Sequence, residues 1–328
     1  MIDNPFSQRG RITSPEYFIG RWIELSLIFE RIEAAQPVII SGVAAIGVSS
    51  ILTHIVQAAA ANLEEPSLRA FYLDIGQAND PASIYTTLMS ALKGRGSNLA
   101  AFELALIELG HPLLLALDNA DQALQQDWGI HMLEELARLV RRSPFMLLIG
   151  SHSQPPLLSE RFASVRLGAF QATEVRLLGE SYLEDTGIHF SPADYAELQT
   201  LSAAHPAYLQ RAAFHLFKAK QETGYQWKQA YLREARDQPI PGAALPAAIF
   251  EGGAALDAFH TSADFNSDGL PKRPDAFALP ETQSGLALIF ILVIALIIGI
   301  WLQPLAGILT AIAGLVLFVR LMSKEKEC

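Results

Sequence analysis

Apolar and polar positions fall into three regimes along the chain. From Gln36 to Phe170, short apolar runs of strand length alternate with stretches of helical spacing. PVIISG (37–42), RAFYLDI (69–75), PLLLALD (112–118), FMLLIGS (145–151) and a weaker SVRLGAF (164–170) predict five strands. Between them the spacing predicts helices at about 49–61, 81–92, 99–109 and 128–142, the third ended by Gly110. The best of these strands are apolar at nearly every position instead of alternating. That pattern belongs to a parallel sheet covered by helices on both faces, so the fold class is α/β. After Gln171 the strands stop. Thr173 offers a cap for a helix ending near Gly187, and Ser191-Pro192 offers a second start, with serine as cap and proline in the first turn. Helices at about 206–222 and 225–236 complete a small all-helical subdomain.

The third regime begins at 238. Residues 238–283 are rich in Pro, Gly, Ala and Asp and hold no period, which predicts a flexible linker. Within it Asp264, Asn266, Asp268, Gly269 and Asp275 fall at calcium-loop spacing. Pro271 and Pro274 interrupt that loop, and polar turn residues explain it better. Gly285 to Leu302 then carries no charge, Gln303-Pro304 interrupts, and Leu305 to Val319 is again uncharged. Each run approaches the length that crosses a bilayer, and the proline separates them, so two transmembrane helices form a hairpin. Lys272 and Arg273 lie before it, and Arg320, Lys324 and Lys326 after it. The positive flanks put both ends in the cytoplasm. The organisation expected is an α/β core (1–171), a helical lid (172–237), a linker (238–283), the hairpin (284–322) and a cytoplasmic tail (323–328). The expected location is the cell membrane, with the folded body and both termini on the cytoplasmic side.

Composition agrees with this division. The chain is 51% hydrophobic over 328 residues, its mean hydropathy is +0.25, and much of the excess follows residue 284. The net charge of −10 argues against a nucleic-acid partner, because phosphate neutralisation needs clustered Lys and Arg. The one cysteine, Cys328, allows no internal disulfide. Met1 to Pro5 opens no basic-then-apolar signal segment.

The candidate chemistry sits after the first strand. Gly42-Val43-Ala44-Ala45-Ile46-Gly47-Val48-Ser49-Ser50 has the frame G-x-x-x-x-G-K-[ST], with Val48 in the lysine position. Glycines there let backbone amides turn toward a phosphate, and a helix N-terminus adds partial positive charge. The third strand ends in Leu117-Asp118-Asn119. Upstream lie Asn4-Pro5-Phe6 and Tyr17-Phe18-Ile19-Gly20-Arg21, and downstream Ala204-His205-Pro206-Ala207-Tyr208-Leu209-Gln210. In this order the motifs resemble those of AAA-like and STAND-type P-loop ATPases over residues 4 to about 236. The resemblance implies a five-stranded P-loop NTPase-like sheet with a helical lid. It further implies ATP or ADP with magnesium held by Gly42, Gly47, Ser49, Ser50 and Asp118. Ser49 and Asp118 would be the magnesium ligands, and Arg21 and His205 would border the base.

Two departures bear on activity. Val48 has neither charge nor donor where the family's lysine neutralises phosphate, and Asn119 stands where a glutamate would orient water. Arg141 and Arg142 lie where an arginine finger would come from, but cations at a helix C-terminus are the plainer reading. His152 is a loop histidine or a polar sensor. The expected function is therefore a membrane-anchored pseudo-ATPase acting as scaffold, regulator or assembly module through protein partners or self-association. The alternative is an active ATPase completed by a partner or neighbouring protomer. A DNA-associated ATPase fits worse, since the linker stands where a winged helix would be.

Overall fold

The structure, a computed structural model, describes residues 2–152 and 161–249. Strands β1 (Val38–Ser41), β2 (Arg69–Asp74), β3 (Leu113–Asp118), β4 (Phe145–Ser151) and β5 (Ala163–Arg166) lie in the order β2-β3-β4-β1-β5. Every pairing is parallel. Successive side chains on a strand point to opposite faces, and the apolar runs serve both. Leu113, Leu115 and Leu117 of β3 enter one core with Phe145, Leu147 and Ile149 of β4. Leu114, Ala116 and Leu148 enter the other with Val38 and Ile40.

Helices α3 (Pro81–Ala91), α4 (Leu99–Leu109) and α6 (Asp127–Val140) cover the first face. Helices α1 (Trp22–Glu33) and α2 (Val48–Asn62) cover the second. A short α5 (Asp121–Leu124) follows β3. Asp80 and Asn98 cap α3 and α4, accepting from the amides of Ser83 and Ala101 at 2.8 and 2.9 Å. Gly110 ends α4 with φ +67°, a conformation glycine adopts without steric cost. Helix α1 is absent from the expectations above, although Leu25, Ile28 and Ile32 supply its buried stripe.

The lid comprises α7 (Ala172–Leu183), α8 (Pro192–Ser202), α9 (Pro206–Gln221) and α10 (Trp227–Asp237). Ser191 caps α8 as expected. Thr173 does not cap α7: Gln171 holds that position, its amide donating to Glu174 Oε2 at 2.9 Å, and the helix stops at Leu183, short of Gly187. The lid core takes residues from both of its flanks. Phe6 is fully buried there, stacked on Tyr182 and Phe190 at 5.3 and 5.8 Å. Ile240 and Ile249 join from beyond α10, so the opening residues of the segment read as linker, 238–249, pack on the lid. Among the described residues no helix is long and apolar enough to cross a membrane. The transmembrane hairpin, the tail, the calcium-like loop at 264–275 and the linker from 250 onward lie outside the described residues.

Candidate functional site

The carboxyl ends of β1, β3 and β4 meet at one edge of the sheet, where ligands of open α/β folds bind. β4 lies between the strand that feeds the Gly42–Ser50 loop and the strand that ends in Asp118. Its Gly150 has no side chain for a strict reason. A Cβ there would stand 2.6 Å from Asp118 Oδ1, 2.6 Å from Leu52 Cδ1 and 2.9 Å from Val48 Cγ1. The loop turns through Ala45 at φ +57° and Gly47 at φ +112°, and α2 starts at Val48 without a side-chain cap. Its first amides therefore have no partner within the helix.

A cavity of about 350 Å³ opens over this loop. Of the residues expected in the site, Gly47, Ser49, Ser50 and Asp118 line it, as do Val48, Asn119 and His152. Gly42 lies below the loop, where a Cβ would meet Ile46 Cγ2 at 2.6 Å. The N-terminal strap crosses the mouth. Ile12 donates its amide to Ser50 Oγ at 3.0 Å, and Gln57 Nε2 donates to Thr13 O at 2.8 Å. Arg9, Gly10, Arg11 and Ile12 thereby line the cavity from above. Nothing in the sequence reading singled out these residues. The lid contributes Pro206, Ala207, Gln210 and Arg211, and the chain leaving it adds Ile240 and Pro241.

Asp118 is 1% exposed. Its Oδ2 accepts from the Tyr72 hydroxyl at 2.5 Å and its Oδ1 from the Asn119 amide at 2.9 Å. Burial, then the bond and charge of Asp118, push the Tyr72 phenol far above its ordinary value, so it stays a donor. Asn119 is itself left-handed at φ +56°. His152 is drawn off by Asp121, with ring Nδ1 2.8 Å and backbone amide 2.9 Å from that carboxylate. Arg142 pairs with Glu103 at 3.3 Å, and Arg141 is the C-cap of α6.

Arg21 and His205 are not among the cavity's lining residues. Arg21 is buried, and its guanidinium donates to Ile46 O at 3.0 Å, Gly168 O at 2.8 Å and Glu24 at 2.9 Å. It also lies 4.7 Å from the Phe170 ring, and its amide donates to Glu174 at 2.8 Å. It ties loop, sheet and lid together. His205 Nε2 donates to Ala44 O at 3.1 Å, while its buried Nδ1 has no partner. Burial lowers its pKa, so the neutral Nε2–H form holds the loop to the lid.

Comparison with solved structures identifies the architecture. A Walker-type ATPase of Pyrococcus abyssi superposes with a TM-score of 0.51 at 14% identity, covering 80% of this chain and 81% of that one. The fold is a P-loop NTPase-like α/β fold. The Orc1 protein of Aeropyrum pernix, solved in complex with DNA, gives a TM-score of 0.47 at 14% identity, over 78% of this chain and 69% of that one. The RuvB Holliday junction branch migration motor of Thermotoga maritima gives 0.44 at 16% identity, over 68% and 72%. No protein-family model matches the chain. No curated protein sequence matches it either.

Such a fold implies a nucleotide with magnesium. The phosphate half of that expectation fits: the loop frame, the uncapped α2 and a cavity of ligand size are all present. The metal half fits less well, because Asp118 is buried and each of its oxygens already accepts one hydrogen bond, leaving one lone pair on each.

Proposed function

We propose that this chain is a nucleotide-binding pseudo-ATPase of AAA/STAND type that acts at a membrane as scaffold or regulator. The carrying observation is the pairing of Val48 with Asn119 at one cavity. Phosphoryl transfer depends almost wholly on positioning and charge stabilisation. One residue withholds the phosphate cation, and the other withholds the carboxylate that would orient water. The chain binds and does not turn over.

A regulatory role has support in the path of the chain. Ile240 and Pro241 line the same cavity, and they begin the segment that leads toward the apolar hairpin at 284–322. A ligand in the cavity thus touches the chain on its way to the proposed anchor. The membrane assignment rests on the uncharged runs 285–302 and 305–319 and their basic flanks.

The test is phosphate release from ATP by the full-length chain as wild type, Val48→Lys, Asn119→Glu and the double variant. No turnover in wild type, with gain at most in the double variant, supports the reading. Steady magnesium-dependent turnover by wild type, abolished by Asp118→Ala, refutes it. That outcome promotes an ATPase completed by a partner's or neighbouring protomer's cation.

A further inference from the structure

Three arginines line the cavity, and their charges are not equally committed. Arg9 and Arg211 share one carboxylate, Glu234, at 3.6 and 3.7 Å. Arg9 also donates to Phe6 O at 2.7 Å, and Arg211 to Gln238 O at 2.5 Å. Glu234 takes His215 Nε2 as well, at 2.7 Å. This cluster sets two guanidinium groups against one carboxylate, so it carries a net positive charge, but each of its arginines has a fixed partner. Arg11 differs. Among the described residues it has no carboxylate within ion-pair distance, and its guanidinium lies 4.4 Å from the Tyr72 ring centroid, within reach of the phenol oxygen. A guanidinium carries five N–H donors, so one that reaches a phenol keeps others for a further acceptor.

The placement of Arg11 is held by the loop helix itself. The next two residues bond to α2, Ile12 to Ser50 and Thr13 to Gln57. Arg11 thus lines the same cavity as the uncapped α2 terminus, where Val48 replaces lysine. The carboxylate below is occupied, Asp118 accepting from Tyr72 and from the Asn119 amide. Tyr72 joins the two features, because its ring supports the cation and its hydroxyl covers the acid. The usual order of charges, a lysine on the loop and a metal on the acid, is replaced by one arginine on a strap and a capped acid.

We propose that Arg11 takes the part of the missing loop lysine and that the cavity holds the phosphates of a nucleotide without magnesium. This rests on the nucleotide-binding part of the reading above. It adds the residue that supplies the charge and the absence of a metal requirement.

The experiment measures binding of a fluorescent ATP analogue to the full-length chain, with magnesium and with a chelator. The variants are Arg11→Ala, Arg11→Lys, Arg9→Ala and Tyr72→Phe, each checked for an unchanged thermal transition. Wild type is expected to bind equally in both media. Arg11→Ala should weaken binding by about tenfold or more, the scale of a lost charge-assisted hydrogen bond. Arg11→Lys should restore part of it, and Arg9→Ala should cost less than Arg11→Ala. Inorganic triphosphate should compete, and its competition should depend on Arg11 as the nucleotide's does. Tyr72→Phe keeps the ring under Arg11 but uncovers Asp118, so magnesium should now strengthen binding. Wild-type binding that requires magnesium, or a Tyr72→Phe variant indifferent to it, overturns the metal-free assignment. Binding unchanged in Arg11→Ala overturns the role of Arg11 and leaves the nucleotide-binding reading standing. Absence of binding in either medium removes that reading, and this proposal with it.

Discussion

Arg21 offers the severest test of how loop, sheet and lid are joined. Its guanidinium is the donor for Ile46 O inside the loop and for Gly168 O beyond β5, and it pairs with a half-covered Glu24. Truncation to alanine leaves two carbonyls without that donor. One of the two bonds is fully buried, and an acceptor orphaned in this way costs about 1–3 kcal/mol. The contact with the Phe170 ring at 4.7 Å is lost as well, worth about 1 kcal/mol. The sum for Arg21→Ala is about 2–4 kcal/mol, a large share of the ~5–15 kcal/mol that holds a domain folded. The backbone supplies an internal control. Arg21 sits at φ +63°, where a residue with a Cβ pays about 1–2 kcal/mol and glycine pays little. Arg21→Gly loses the same guanidinium but relieves that strain, so it should be less destabilised than Arg21→Ala by about 1 kcal/mol. Urea unfolding of the full-length chain, followed by tyrosine and tryptophan fluorescence, measures both. A loss under about 1 kcal/mol in Arg21→Ala would mean the carbonyls find other donors and would refute the keystone role. A glycine variant no better than alanine would refute the strain.

Gly150→Ala should destabilise by about 1–3 kcal/mol through overpacking against Asp118, Leu52 and Val48, visible as a lower melting temperature; an unshifted melt would contradict the close packing of β4. Burial, then the nearby Arg21 charge, keep the folded His205 pKa below its ordinary 6.5, despite the opposing bond to Ala44 O. The unfolded chain therefore binds the proton first, so the stability contribution is complete above about pH 6.5 and is lost as pH falls toward the folded value. His54, lowered by burial alone, acts in the same direction. His205→Gln, which keeps a donor for Ala44 O, should flatten part of the acid-side slope of unfolding free energy against pH, and an unchanged slope would count against the neutral clamp. For the proposed hairpin, impermeant thiol reagents should reach Cys328 and a Glu281→Cys variant from the same side of the membrane; labelling from opposite sides would exclude two spans.

The sheet was legible because its signal is local and redundant. A strand such as Leu113–Asp118, buried at every position, shows itself by composition alone. Asp80, Asn98 and Ser191 cap the next turn within three residues of themselves, so their function too is written in adjacent positions. Helix α1 escaped because Trp22, Ile23 and Leu27 leave apolar side chains on its exposed face, which blurs the stripe made by Leu25, Ile28 and Ile32. The site divides along the same line. The loop frame and the terminal acid of β3 are short motifs, and they do meet at one cavity. Charge and strain in that cavity are decided by residues far apart in the chain. Arg21 reaches a carbonyl 147 residues away, His205 one 161 residues away, and Tyr72 covers a carboxylate 46 residues on. No periodicity encodes such pairs, and motif order gives no sign that Arg21 and His205 both bind the protein's own carbonyls. Substitution at Val48 carries a similar lesson. Read alone, it removes a charge. Read with Gly150 it also fills space, since its methyl group and the Asp118 carboxylate crowd the same glycine from two sides. A lysine restored at 48 must send its longer chain into the cavity that Arg11 also lines. A further cation would then join the three arginines that line this cavity, and an anion bound among them would relieve their mutual repulsion.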